Sequence, residues 1–204
     1  VTGAGVIDSG ICNLGSIARA LERAGGTVQV VTTPDQVAAQ QRLILPGVGS
    51  FPAGMDALES RGLDRAIVAF AATGKPVFGI CLGMQLLFET GEEFGTRKGL
   101  GLIPGRVRAI NAGDLAVPHM GWNNILPVQE DPLLQGLPGN AYFYFVHSFV
   151  CEPADAAHVL ARATYGEEFC AMARNGNVRG LQAHPEKSQQ CGATVLRNFL
   201  GLGT

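Results

Sequence analysis

Apolar residues along this chain fall in short bursts separated by amphipathic stretches. Val6-Ile7-Asp8, Val28 to Thr32, Leu43-Ile44-Leu45 (ending at Pro46) and Val77 to Ile80 have the length and β-branched content of buried strands. Leu14 to Ala24, Met55 to Arg61 and Leu63 to Thr73 instead space their apolar residues at helical period. Met84 to Glu89 reads as a further helix. This alternation predicts a parallel sheet covered on both faces, with right-handed crossovers.

After Gly91 the pattern changes. Gly and Pro become frequent, and short β-like pieces follow at Arg106–Ile110, Tyr142–Phe149, His158–Tyr165, Phe169–Arg174 and Val178–Gln182. These predict antiparallel strands added to one side, with a closing helix near Gly192–Leu200. The predicted fold class is therefore α/β: a mostly parallel central sheet flanked by helices, with additional antiparallel strands in the C-terminal half. With no repeat or linker-like segment, residues 1–204 read as a single domain.

Composition narrows the function classes. Charged residues are 16% and hydrophobic residues 47%, so the 204 residues can build a substantial core. The slightly positive mean hydropathy suggests apolar surface for a partner to cover. The formal net charge is −2 and no Lys/Arg run occurs, which argues against nucleic-acid and anionic-membrane binding. Cys12, Cys81, Cys151, Cys170 and Cys191 are scattered, odd in number and without a C-x-x-C pair. That argues against a disulfide framework and a zinc site, and fits a reduced cytoplasm. Neither a basic leader at the start nor a bilayer-length apolar run is read, and no metal or cofactor is expected.

The most specific chemical signal is Gly79-Ile80-Cys81-Leu82-Gly83. It lies between a predicted strand and a predicted helix, so the pattern is a cysteine version of the nucleophile elbow. Flanking glycines permit a sharp turn with a strained apical residue, and peptide dipoles at a helix start favour a thiolate. A buried, inert cysteine in a Gly-rich turn is the alternative. Gln182-Ala183-His184-Pro185-Glu186 shifts the balance. It follows an apolar strand and sets an imidazole and a carboxylate two residues apart around a proline. A Cys81–His184–Glu186 triad needs that order of contacts: nucleophile, base, and a carboxylate that orients the base. A His and a Glu on a solvated loop is the competing reading.

Thiol attack on an amide develops an oxyanion, which needs N–H donors. Leu82 supplies one in any such elbow. Pro46-Gly47-Val48-Gly49-Ser50-Phe51 is the predicted source of the other, with the Val48 N–H as donor and Gly47 as the flexible joint. A structural turn or a phosphate loop are the alternatives; the segment lacks the Gly-Lys-[Ser/Thr] and G-x-G-x-x-G patterns. Gln85 falls one helical turn after Cys81, on the same predicted face.

Together these motifs resemble the class I, triad-type glutamine amidotransferases over nearly the whole chain, whose fold is flavodoxin-like. Within that class they are most similar to the glutaminase subunits of imidazole glycerol phosphate synthase. The resemblance rests on Asp8-Ser9-Gly10-Ile11-Cys12-Asn13-Leu14-Gly15-Ser16, Leu45 to Phe51, Gly79 to Gln85, Pro118-His119-Met120-Gly121-Trp122-Asn123, Tyr144 to Phe149, and His184 to Ser188. Ser9, Cys12 and Ala183 depart from the usual Tyr, Gly and Phe.

The resemblance implies hydrolysis of glutamine to glutamate and ammonia through a cysteine thioester. Ammonia would pass to a cyclase partner, a (β/α)8 barrel held as a heterodimer in histidine biosynthesis. There it would meet a phosphoribulosyl aminoimidazole carboxamide nucleotide, giving imidazole glycerol phosphate and an aminoimidazole carboxamide ribotide. It also implies that Gln85, Glu89 and the backbone of His147, Ser148 and Phe149 contact substrate glutamine. Asn13, Leu14, Trp122, Asn123 and Lys187 would face the cyclase. Read without the resemblance, Gln85 and Glu89 are solvated helix residues and Trp122 a core aromatic. His147 is a structural histidine or a rival base; His119 and His158 are structural or surface residues. A glutaminase for another pathway, a stand-alone cysteine hydrolase and a non-enzymatic binding module are the alternatives.

Overall fold

The computed structural model describes residues 2–10 and 12–203, so Val1, Ile11 of the first-loop motif and Thr204 lie outside the described residues. The first half alternates as the hydrophobic pattern predicts: β1 (Gly3–Ile7), α1 (Leu14–Arg23), β2 (Thr27–Val31), α2 (Pro34–Ala38), β3 (Leu43–Gly47), α3 (Phe51–Glu59), α4 (Leu63–Ala72), β4 (Val77–Cys81) and α5 (Leu82–Leu86). Strands β2, β1, β3 and β4 lie side by side and parallel. β3 and β4 are buried at every residue. Successive side chains leave opposite faces of the sheet, and two cores result. Ile44, Phe78 and Ile80 pack with Ile17, Ala20 and Leu21 of α1. Leu43, Leu45 and Val77 pack with Phe51, Met55 and Leu58 of α3 and with Leu63, Ile67 and Phe70 of α4.

Local chemistry sets the helix starts. The Asn13 side chain caps α1 by accepting the Ser16 N–H, and Ser50 caps α3 by accepting the Ala53 N–H. Thr33 and Gln36 form a reciprocal capping box at α2, a helix the hydrophobic pattern leaves unread.

The second half continues as β5 (Phe88–Gly91), β6 (Arg97–Lys98), β7 (Ile103–Ala109), β8 (His119–Asn124), β9 (Leu126–Pro127), β10 (Tyr142–His147), β11 (Phe149–Pro153), β12 (Val159–Tyr165), β13 (Glu167–Asn175) and β14 (Val178–Leu181). β14 returns to lie parallel beside β4, and its other edge starts an antiparallel extension through β13, β11 and β7. A 3-10 turn (Pro185–Lys187) and α6 (Gln189–Leu200) close the fold, α6 covering the α1 side through Val195, Leu196 and Phe199. The Phe199 ring stacks on Phe78 at 5.2 Å between centroids. Among the described residues, no helix is long and apolar enough to cross a membrane.

Two predicted elements change. The helix expected over Met84–Glu89 ends at Leu86: it is buried at every residue, and the Leu87 carbonyl accepts the Leu102 and Ile103 N–H groups rather than continuing the helical ladder. Phe88 instead enters β5 and pairs with Ile103. The strand expected over Tyr142–Phe149 breaks at Ser148: β10 forms a separate ribbon with β8, and β11 joins the main sheet. That break turns His147, Ser148 and Phe149 toward the ends of β3 and β4.

Candidate active site

The parallel strands β3, β4 and β14 end in register, with Gly47 opposite Cys81 and Leu181 opposite Ile80. The loops that follow them therefore converge at the carboxyl edge of the sheet, where open α/β sheets place their sites. Cys81 sits at the tip of β4 with φ 54° and ψ −113°. Such a conformation in a non-glycine residue persists only where its surroundings enforce it. Gly83 supplies that enforcement: a Cβ there would run into the Leu45 carbonyl oxygen, so β3 and α5 approach as only glycine allows. The Cys81 residue is 7% exposed. Its Sγ lies 3.9 Å from the Val146 carbonyl oxygen and 3.9 Å from Nε2 of Gln182.

His184 is anchored from both sides. Its N–H donates to the Tyr144 carbonyl at 2.9 Å, and its own carbonyl accepts the Ser188 hydroxyl at 2.6 Å. Its Nδ1 lies 2.8 Å from Oε1 of Glu186, and both side chains are 4% exposed. Burial pushes the imidazole pKa down, but the Cys81 sulfur and the Glu186 carboxylate outweigh it and hold it up to about 10. Nε2 is buried without a hydrogen-bond partner. With Nδ1 held by Glu186, Nε2 is the ring nitrogen left for the sulfur and the cavity.

A cavity of about 300 Å³ opens over Cys81, lined by Val48, Gly49, Leu82, Gln85, Glu93 and His184 together with the turn through His147, Ser148 and Phe149. That size suits a small polar substrate better than a peptide. Hydrogen bonding fixes the role of His147. The Phe149 carbonyl can only accept, so the Nδ1 of His147, 2.9 Å away, must donate to it. Nε2 is then an acceptor for Nδ1–H of His119 at 2.9 Å. Both ring nitrogens are engaged within the protein, and burial drives the His147 pKa down to about 4. His147 is a neutral, structural wall of the cavity rather than a base.

The Glutamine amidotransferase class-I family matches residues 5–201. The chain belongs to the class I glutamine amidotransferase family. It is 46% identical over 205 residues to the imidazole glycerol phosphate synthase subunit HisH of Salinibacter ruber, covering 98% of this chain and 94% of that one. It is also 46% identical to the HisH subunit of Desulfitobacterium hafniense, covering 96% and 92%. A glutamine amidotransferase crystal structure aligns with a TM-score of 0.76 at 22% identity, over 97% of this chain and 96% of that chain. PurLQS from Thermotoga maritima aligns with a TM-score of 0.77 at 23% identity, over 98% and 97%. These two structures carry the fold, which is the one expected from the sequence.

Within this amidotransferase the expected site residues divide. Cys81, His184, Gln85, Val48, Leu82, His147, Ser148 and Phe149 share the cavity, and Glu186 backs His184. Glu89 does not join them. It lies on β5 rather than on a helix, is exposed, and accepts the Gly105 N–H at 2.8 Å. The early end of α5 is what carries it away. Glu93, four residues on, lines the cavity instead, with Oε2 accepting the Phe51 N–H at 2.7 Å. Gly47 is buried at the end of β3 against Leu82 and Gly83. The open left-handed glycine of that loop is Gly49, with φ 104°.

The expected partner residues also divide. On β8, Met120 and Trp122 are 61% and 48% exposed, with Tyr142 of β10 beside them. The Trp122 ring meets Tyr144 edge-on, and Lys187 Nζ lies 5.4 Å from the centre of the same Tyr144 ring. Asn13 is exposed at the head of α1, and Leu14 is half-buried against the core. Asn123 departs from this group. Strand alternation turns its amide inward, to the Thr164 carbonyl at 2.9 Å and toward His119.

Proposed function

We propose that this chain is the glutaminase subunit of imidazole glycerol phosphate synthase, acting through Cys81, His184 and Glu186. The observation that carries the reading is the convergence, in one small cavity, of an elbow cysteine and a histidine whose far nitrogen is held by a buried carboxylate. Near-full-length similarity to HisH subunits supports the pathway.

Cys81 attacks the side-chain amide carbon of glutamine as a thiolate, its proton residing on His184. The carbonyl electron pair moves to oxygen, and the N–H groups of Val48 and Leu82 hold that oxyanion, each such donor being worth about 3–4 kcal/mol. His184 gives its Nε2 proton to the departing nitrogen, releasing ammonia and leaving a thioester. It then takes a proton from water as that water attacks the thioester carbon. Collapse returns the thiol and releases glutamate. Glu186 keeps Nδ1 as the donor nitrogen throughout.

Glu93 and Gln85, with the His147–Phe149 turn, orient the substrate. The face bearing Met120, Trp122 and Tyr142 docks a (β/α)8 cyclase barrel as a heterodimer, in the cytoplasm, with residues 1–204 acting as one glutaminase domain. Ammonia released to water is wasted, so the Val48 N–H completes the oxyanion site only in the complex. Glutamate release tests this. The chain alone should be slow, and adding cyclase with its nucleotide ligand should raise the rate by orders of magnitude. A fast isolated chain would remove the coupling; no release under either condition would remove the glutaminase.

A further inference from the structure

Cys81 Sγ lies between two groups of opposite polarity. The Val146 carbonyl oxygen, 3.9 Å away, can accept a hydrogen bond from the thiol but repels the thiolate. On another side stands the carboxamide of Gln182, whose Nε2 is 3.9 Å from Sγ. Gln182 is fully buried, so nothing from solvent dictates which end of its amide faces the sulfur.

The surrounding network does. The Phe149 carbonyl, as an obligatory acceptor, takes Nδ1–H of His147 and, at 3.2 Å, one hydrogen of Gln85 Nε2. That fixes the Gln85 amide with its nitrogen inward. Its second hydrogen meets Oε1 of Gln182 at 3.2 Å. With its oxygen so occupied, Gln182 has only its N–H₂ to present to the sulfur. The polarity runs one way from a backbone carbonyl to the nucleophile, and each side-chain flip along it follows from the first.

We propose that Gln182 is a catalytic residue of this site, its carboxamide N–H stabilising the Cys81 thiolate before attack and again as the thioester breaks. The proposal rests on the glutaminase reading above. A thiolate on a residue only 7% exposed has little water around it, and a fixed, charge-assisted donor replaces a hydration contact. The donor keeps its proton throughout. It therefore adds to His184, which exchanges one, and does not compete with it. Gln182 lies two residues before His184, so β14 delivers the donor and the base to the sulfur together.

The test is the pH dependence of Cys81 alkylation by iodoacetamide in the full chain, read on the Cys81 peptide by mass spectrometry so that the other four cysteines do not contribute. The titratable groups around Sγ are His184 and Glu186 after β14, His147 at the end of β10, Glu93 after β5 and Cys151 on β11. All are unchanged in the variants compared. Gln182→Met keeps the length and removes the donor. It should lower the rate at neutral pH by about tenfold, the order of a charge-assisted hydrogen bond, and move the profile to higher pH. Gln182→Glu, which puts an anion beside the sulfur, should move it further.

Profiles that overlay the native one would overturn the proposal. Should both Gln182 chains fail to melt cooperatively, Gln85→Met decides. It removes the hydrogen that sets the Gln182 amide, and it should give a smaller shift in the same direction; an overlaid profile there overturns the proposal equally. Glutamate release from the native chain with cyclase is followed separately. Release with overlaid alkylation profiles defeats the Gln182 assignment alone, and shifted profiles without release defeat the glutaminase reading alone.

Discussion

In the proposed mechanism Glu186 touches nothing that reacts, yet it sets what His184 can do. Its Oε1 fixes Nδ1 as a donor and leaves Nε2 as the nitrogen without a carboxylate partner, the one the mechanism uses for protons. In Glu186→Gln the amide can turn its nitrogen to Nδ1 and trap the wrong tautomer. Glutamate release by the complex should fall about 10³-fold or more, while some activity survives from the oxyanion donors. Stability gives an independent reading. The His184 pKa is raised in the folded chain, so its pairing stabilises fully below the unfolded value near 6.5 and is lost as pH rises through about 10. The difference in urea midpoint between native and Glu186→Gln chains should therefore be largest near pH 6 and shrink toward pH 10. A pH-independent difference would assign Glu186 a packing role only. The grouping of Cys81, His184 and Glu186 is legible in the sequence because each lies in a compact local pattern. The place of Glu93 in the same cavity is not, because it depends on where α5 stops. Gln182 was visible beside His184, but its direction toward sulfur is set by Phe149 and Gln85, far away in sequence.

Between elements, the parallel half was legible and the antiparallel half only roughly so. β3 and β4 are buried on both faces, and a continuous apolar run reports that directly. β8 is not such a run: His119, Gly121 and Asn123 alternate with Met120 and Trp122, and its pairing with β10 rests on partners distant in sequence. Charged side chains tie this half together where apolar surface is short. Asp131, fully buried at its side chain, accepts from Arg179 of β14, Arg174 of β13 and the Leu133 N–H. Burial pushes its pKa up, but these donors outweigh it and hold it below the usual carboxylate value. Its contribution is thus present above the unfolded pKa near 3.9 and lost as pH falls through the lower folded value. Asp131→Ala strands Arg179, whose side chain is 11% exposed. Thermal or urea unfolding at pH 7 should show a loss of about 3–5 kcal/mol. A loss within the range of ordinary surface changes would show that the arginines find water instead.

For the molecule as a whole, the decisive relation is between the exposed aromatic face and the cavity. Met120, Trp122 and Tyr142 project outward from the β8–β10 ribbon, while His119 and Asn123 on the same β8 strand project inward. The inward pair reaches His147 and, through it, the Phe149 carbonyl that also holds Gln85. A partner that presses on Trp122 therefore loads a strand whose other face is bonded to the wall of the cavity. Trp122 is the chain's single tryptophan. It is braced by Tyr144, which Lys187 overlies, so it meets a partner largely pre-ordered. Trp122→Ala should leave the melting of the isolated chain nearly unchanged, because half of the residue is already exposed. Its effect should fall on the complex: weaker cyclase binding by about 2 kcal/mol or more, the scale of an interface anchor. Titrating cyclase against native and variant chains by calorimetry, with glutamate release followed at saturating cyclase, separates two roles. Activity restored at saturation would make Trp122 an anchor only. Activity still depressed when every chain is bound would mean that the ribbon transmits the partner's presence to the cavity. Unchanged affinity would place the cyclase on a different face.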